Sequence, residues 1–214
     1  MNFFGHAAVA SWDVASSEHA AAAGGRALGA MLPDFATMSR ARLAEASDAS
    51  VAAGIALHHS TDAAFHRLPP VLALMRELDE RLDRAGCARG PRRAVAHIGV
   101  ELLLDGVLLD ELAYRDNYLA GLAHDPAGVH WREDGDDARF AVLLARLRSH
   151  GVPDDLRRTD AITTRLHRML AHRPLLAPSA TDLVSIKSSL AAHQQRVEVA
   201  TDTVLRALRA ALTS

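Results

Sequence analysis

Apolar residues recur along most of the chain at the three- and four-residue intervals of α-helices, broken by turn residues at regular distances. The apolar opening Met1–Ala10 runs into a polar turn, Ser11-Trp12-Asp13-Val14-Ala15-Ser16-Ser17. An alanine run from Glu18 then meets Gly24-Gly25, where a helix is expected to fray. Ala27 to Met31 is apolar again and ends at Leu32-Pro33-Asp34-Phe35. The proline disfavours helical geometry at Leu32, which places Asp34 at a turn or at the start of the next helix, as a cap. Ser39 to Glu45 reads as a short helix. Ser47-Asp48 offers an N-cap to a helix over Val51–His66, with Pro69-Pro70 stopping the chain beyond it. Val71 to Ala85 is amphipathic, its apolar positions being Leu72, Leu74, Met75, Leu78 and Leu82. After Gly86 and Gly90-Pro91 come a long apolar helix over Arg92–Leu112 and another over Asp116–His124. A polar loop holding Asp125-Pro126-Ala127-Gly128 and Glu133-Asp134-Gly135-Asp136-Asp137 precedes three more helical patterns. These are Ala138–His150, Asp154–Ala171 and Ala180 to near the C-terminus. Strand patterns are hard to find, so the expectation is an all-α chain folded as one helical bundle over residues 1–214.

Composition sharpens this expectation. The 214 residues suit one well-cored domain. Hydrophobic residues make up 49 % but aromatics only 4 %, so alanine, leucine and valine must build the core, and the first two are strong helix formers. A net charge of −2 argues against nucleic-acid binding by charge alone. Cys87 is the single cysteine, which fits a reducing compartment, and no basic signal region or uninterrupted apolar span argues for export or membrane insertion. A cytoplasmic protein without membrane association is expected.

Two rows of polar residues interrupt otherwise apolar helices. His58, Asp62 and His66 follow at i, i+4 and i+8, with His59 on the same edge. His97, Glu101 and Asp105 repeat that spacing among Ile98, Val100, Leu102, Leu103 and Leu104. Burying such groups costs free energy unless something satisfies them, and a divalent ion does so. Facing helices that each carry a histidine–carboxylate row are how metal sites are built inside bundles. Imidazole plus carboxylate suits Mn, Fe, Zn or Mg in hydrolytic chemistry. The competing reading is a set of core histidines held by ordinary hydrogen bonds, and His66, next to Arg67, fits that reading best. No paired-cysteine, HExxH, Walker or GxGxxG motif occurs. The arginines Arg146, Arg148, Arg157, Arg158, Arg165, Arg168 and Arg173 read as a solvated face or, alternatively, as a grip for phosphate or an acidic partner.

Several short stretches resemble the acyl carrier protein phosphodiesterase family. Met1-Asn2-Phe3-Phe4-Gly5-His6 is similar to that family's Met-Asn-Phe-Leu-Ala-His start, and Leu28-Gly29-Ala30-Met31-Leu32-Pro33-Asp34-Phe35 resembles its Gly-Asn-Leu-Leu-Ala-Asp-Phe. Gly54-Ile55-Ala56-Leu57-His58-His59-Ser60-Thr61-Asp62 is similar to its Gly-Ile-x-x-His-Arg-x-Ile-Asp. Glu101-Leu102-Leu103-Leu104-Asp105 resembles its Asp-x-x-x-Asp, and Ala171-His172-Arg173-Pro174 its Ser-Arg-Arg-Pro. The resemblance implies an HD-domain-like helical fold and a metal-dependent hydrolase that removes 4′-phosphopantetheine from acyl carrier protein. It implies His6, Asp34, His58, Asp62 and Asp105 at the metal. His59, His97 and Glu101 stand beside them as catalytic candidates, and Arg173 is the candidate phosphate contact. Two departures stand out: the family's histidine after its second aspartate is Gly106 here, and the basic residue after its helix histidine is His59. The partner is therefore expected to be acyl carrier protein or a small phosphoester, with a homodimer left open. The alternative is a metal- or ligand-binding protein of the same fold with altered catalysis.

Overall fold

In the computed structural model, which describes residues 1–12 and 20–213, the chain is 78 % helical. In chain order the elements are α1 (Phe3–Ala10), α2 (Ala20–Ser39), β1 (Leu43–Ala46), α3 (Ala49–Phe65), α4 (Pro69–Arg84), α5 (Arg89–Leu108), α6 (Leu112–Ala123), β2 (Val129–Trp131), α7 (Asp136–His150), α8 (Thr159–Leu170) and α9 (Ala180–Thr213). Short 3-10 turns sit at Pro126–Gly128 and Asp154–Arg157. The helical class is thus as the periodicity predicts. Most of the polar turn after Trp12 and the start of the alanine run lie outside the described residues. No helix among the described residues is long and apolar enough to cross a membrane. The chain contacts itself in two compact units, Met1–Ala63 with Leu108–Pro153 and Ala64–Val107 with Asp154–Ser214.

The first unit is built around α1. All eight of its residues are buried, as expected for a helix apolar on every side. Phe3 packs on Phe35 of α2 and on Tyr118 of α6, with ring centroids 5.6 and 6.1 Å apart. Asn117 Nδ2 donates to the Ala7 carbonyl at 2.7 Å. α2 runs straight through Gly24-Gly25 and Pro33 instead of breaking there. The glycines are packing positions: a Cβ on Gly25 would lie 1.9 Å from Ser50 Oγ, and one on Gly24 3.0 Å from the Ala120 carbonyl oxygen. A proline inside a helix costs about 3 kcal/mol, a cost offset by the fully buried Leu28, Ala30, Met31, Leu32 and Phe35 around it. Asp34 accordingly sits within the helix and not at a helix start.

The expected helix over Ser39–Glu45 is absent. α2 ends in a left-handed residue, Arg40 (φ 56°), and Ala41 N–H reaches back to the Ala36 carbonyl at 2.9 Å, closing the helix as a glycine usually does. The chain then enters β1, which pairs antiparallel with β2 from the expected polar loop, with Leu43 opposite Trp131 and Ala46 opposite Val129. The fully buried Asp136 carboxylate fastens this ribbon, accepting from Arg42 N–H at 2.9 Å and Glu133 N–H at 3.2 Å and pairing with Arg139. At the head of α3, Asp48 Oδ1 accepts from the Ser50 hydroxyl (2.6 Å), Ser50 N–H (2.8 Å) and Val51 N–H (3.2 Å), which confirms the expected cap. The hydroxyl bond of Ser50 is the main reason the Asp48 carboxyl is held down at about 2.

In the second unit α4 begins on Pro69 and turns Val71, Leu74, Leu78 and Leu82 inward. Leu74, Leu78 and Leu82 are buried as expected, while Val71 takes the inward place expected of Leu72, which is half-exposed, and Met75 is only partly buried. α9 covers that row. The predicted Asp154–Ala171 helix is divided at Arg158 into a 3-10 turn and α8. Arg165 forms a two-pronged ion pair with Asp155 across that break, at 2.7 and 3.1 Å.

Candidate metal centre

Close helix contact sets the geometry of the first unit's polar residues. Gly29 of α2 and Gly54 of α3 meet face to face: a Cβ on Gly54 would lie 2.2 Å from the Arg26 carbonyl oxygen and 2.8 Å from Gly29 Cα. Backbone approach this tight lets the His58 side chain reach α2, where Nδ1 donates to the Ala30 carbonyl at 2.8 Å. Because a carbonyl only accepts, that bond puts the proton on Nδ1 and leaves the Nε2 lone pair available. A backbone acceptor fixing the imidazole in this way is the usual support of a metal-bound histidine.

His6 of α1 stacks on His58, with ring centroids 3.9 Å apart and planes 27° from parallel. The His6 ring is buried, and neither nitrogen completes a hydrogen bond. With a carboxylate oxygen of Asp34, the two histidines present three donor atoms within 4.8 Å of one another. Asp62 stands beside this trio and not within it. Its Oδ1 lies 3.9 Å from His6 Nε2 and accepts from the Met1 ammonium at 3.1 Å.

Both histidines favour the neutral form that metal ligation requires. Burial is the main reason the His6 pKa falls well below the ordinary value, with His58 and the Met1 ammonium adding to it against Asp62. Burial also lowers His58, opposed by its bond to Ala30 and the charge of Asp62. His59, the exposed neighbour, is not among the three donors, and its ring stands edge-on to His58 at 5.4 Å. Of the two adjacent histidines, His58 is the one brought to the site.

A second trio lies in the other unit. His66, just past the end of α3, joins His97 and Glu101 of α5. His97 Nε2 is 3.2 Å and His66 Nε2 3.6 Å from the same oxygen, Glu101 Oε1, and the rings stack with centroids 4.6 Å apart. Burial pushes the Glu101 carboxyl up, and the hydrogen bond from His97 is the largest of the effects that bring it below its ordinary value. Helical spacing puts His66 in the row of His58 and Asp62; the fold places it with His97 and Glu101.

Asp105 is fully buried on α5 and belongs to neither trio. Arg173 is exposed in the turn after α8, and its backbone closes that turn through bonds to Leu170, Leu176 and Ala177. The other arginines are largely engaged: Arg148 donates to the carbonyls of Leu122 and His124 at the end of α6, and Arg157 and Arg158 pair with Asp154 and Asp160. Cys87 is buried, and burial beside Asp182 pushes its thiol up to about 12, so it offers no thiolate ligand. No protein-family model, curated protein or solved structure matches the chain.

Proposed function

We propose that the chain is a metal-dependent phosphohydrolase whose ion is held by His6, Asp34 and His58. The observation that carries this reading is the trio itself: two buried neutral imidazoles and a carboxylate with donors within 4.8 Å. The donor set fits a divalent ion. His58 Nε2 is left as a ligand by the Ala30 bond, and a buried imidazole with no hydrogen bond, as in His6, is otherwise costly. When bound, such an ion supplies a Lewis acid for a phosphoryl oxygen and lowers the pKa of a coordinated water.

The protein's own groups do the rest. Gly29 and Gly54 hold α2 against α3 so that Asp34 and His58 keep their spacing, and the His6–His58 stack orients both rings. Asp62, its side chain 43 % exposed, sets Oδ1 between the Met1 ammonium and His6 Nε2, where the carboxylate is placed to accept a proton from water entering the site. The substrate class is a phosphodiester or phosphomonoester. The resemblance to acyl carrier protein phosphodiesterases, with their HD-domain-like fold and cytoplasmic setting, favours a phosphopantetheine ester.

One observation favours a second reading, metal binding with altered turnover. A Cβ on Gly106 would lie 2.4 Å from the Leu156 carbonyl oxygen, so the turn Asp154–Arg157 fills the space that the family's histidine would need. Elemental analysis of untagged protein, with hydrolysis of a generic phosphodiester, tests both. Wild type is expected to carry metal, and Asp34→Asn and His58→Ala are expected to lose both the ion at this trio and the activity. Unchanged metal content in both variants overturns the site; metal without hydrolysis across a phosphoester panel selects the second reading.

A further inference from the structure

We infer that His66, His97 and Glu101 form a binding site for a zinc-class divalent ion in their own right. Two metal–ligand bonds of about 2.0–2.1 Å at a tetrahedral angle leave their donor atoms about 3.3 Å apart. The two Nε2 atoms stand 3.2 and 3.6 Å from Glu101 Oε1, on either side of that value. The rings are nearly parallel, 28° apart, and both present Nε2 to the same oxygen, so one ion can take all three donors with little side-chain movement.

His97 and Glu101 lie one turn apart on α5, and that alone is an ordinary helical i, i+4 pair. What makes a site is the third donor, delivered from the end of a different helix. Phe65, fully buried, anchors the last turn of α3 and meets the His66 ring edge-on at 5.4 Å. The side-chain exposures are graded: 10 % for Glu101, 29 % for His66 and 50 % for His97. The carboxylate forms the floor and His97 the rim, so the site is reached from the solvent side of His97.

Two imidazoles and one carboxylate select Zn²⁺, Co²⁺ or Ni²⁺ over Mg²⁺, which demands oxygen donors and an octahedral shell. The site does not depend on the function proposed for the His6 trio, since the two share no residue.

The test is a Co²⁺ titration of untagged, metal-stripped full-length chain, read by the visible absorption of four-coordinate cobalt, with Zn²⁺ stoichiometry measured after dialysis. His97→Ala changes a half-exposed side chain and leaves the core intact. It is expected to remove one equivalent of Zn²⁺ and weaken Co²⁺ binding at this site by at least about a hundredfold. Glu101→Gln is expected to do the same, a large excess of Mg²⁺ is expected not to compete, and Asp34→Asn is expected to leave this equivalent in place. Wild-type stoichiometry and affinity in both His97→Ala and Glu101→Gln would overturn the inference, as would displacement of Co²⁺ by Mg²⁺. Loss of this equivalent in Asp34→Asn would show a single shared ion and overturn it equally.

Discussion

His58 and His59 are chemically identical neighbours, and one residue step around α3 separates a buried ring bonded to Ala30 from an exposed one. Helical spacing puts both within reach of the edge carrying Asp62, so sequence alone leaves the choice open; the glycine contact with α2 makes it. The sequence places His66 in the row of His58 and Asp62 and not with His97 and Glu101 for a related reason. Its partners lie some thirty residues on, and nothing local announces them. A fourth histidine, His193 of α9, carries no motif in the sequence. It is buried, its Nε2 has no hydrogen bond, and burial lowers its pKa, with Glu77 opposing and Arg81 and Arg196 reinforcing. The native state holds this ring neutral while the unfolded chain takes up a proton below about 6.5. Its contribution is therefore present above that pH and lost as pH falls, by at most about 1.4 kcal/mol per pH unit. His193→Leu is expected to flatten the fall in stability between pH 7 and 5, measured by urea unfolding across that range. An unchanged slope would count against a neutral buried His193.

At the level of elements, most helices were legible because their apolar period is regular and their caps are orthodox: Asp48 before α3, Pro69 opening α4, Gly151 closing α7. The errors cluster where a long-range contact overrides a local signal. Gly24, Gly25 and Pro33 look like breakers, yet packing carries α2 through all three. β1 and β2 lie more than eighty residues apart and are too short to show an alternating pattern. Arg40 in a left-handed cap gives no glycine to read. For the candidate metal centre, His6 and His58 were legible as residues, but the stack between them was not. Gly54→Ala puts a methyl group against the Arg26 carbonyl and is expected to cost about 1–3 kcal/mol, seen as a lower urea midpoint. It is also expected to weaken metal binding at the His6 trio, because it moves α3 away from Ala30. A variant with wild-type stability would refute the close-contact account.

For the whole molecule, each compact unit draws on two separated stretches of chain, so no single cut releases both intact. A fragment ending at Pro153 keeps every segment of the first unit but lacks α8 and α9, leaving Val71, Leu74, Leu78 and Leu82 of α4 uncovered. That fragment is expected to bind a hydrophobic dye strongly and to self-associate on size-exclusion chromatography; a monodisperse, dye-silent fragment would contradict the packing of α9 on α4. The same interleaving bears on Gly106. Its neighbour across the contact, Leu156, belongs to the stretch that the chain reaches only after completing the first unit. A lineage acquiring histidine at 106 by one codon change would pass through a form with that turn displaced. The remodelled turn must come first or arrive together with it, so the two states are separated by a valley that single substitutions do not cross.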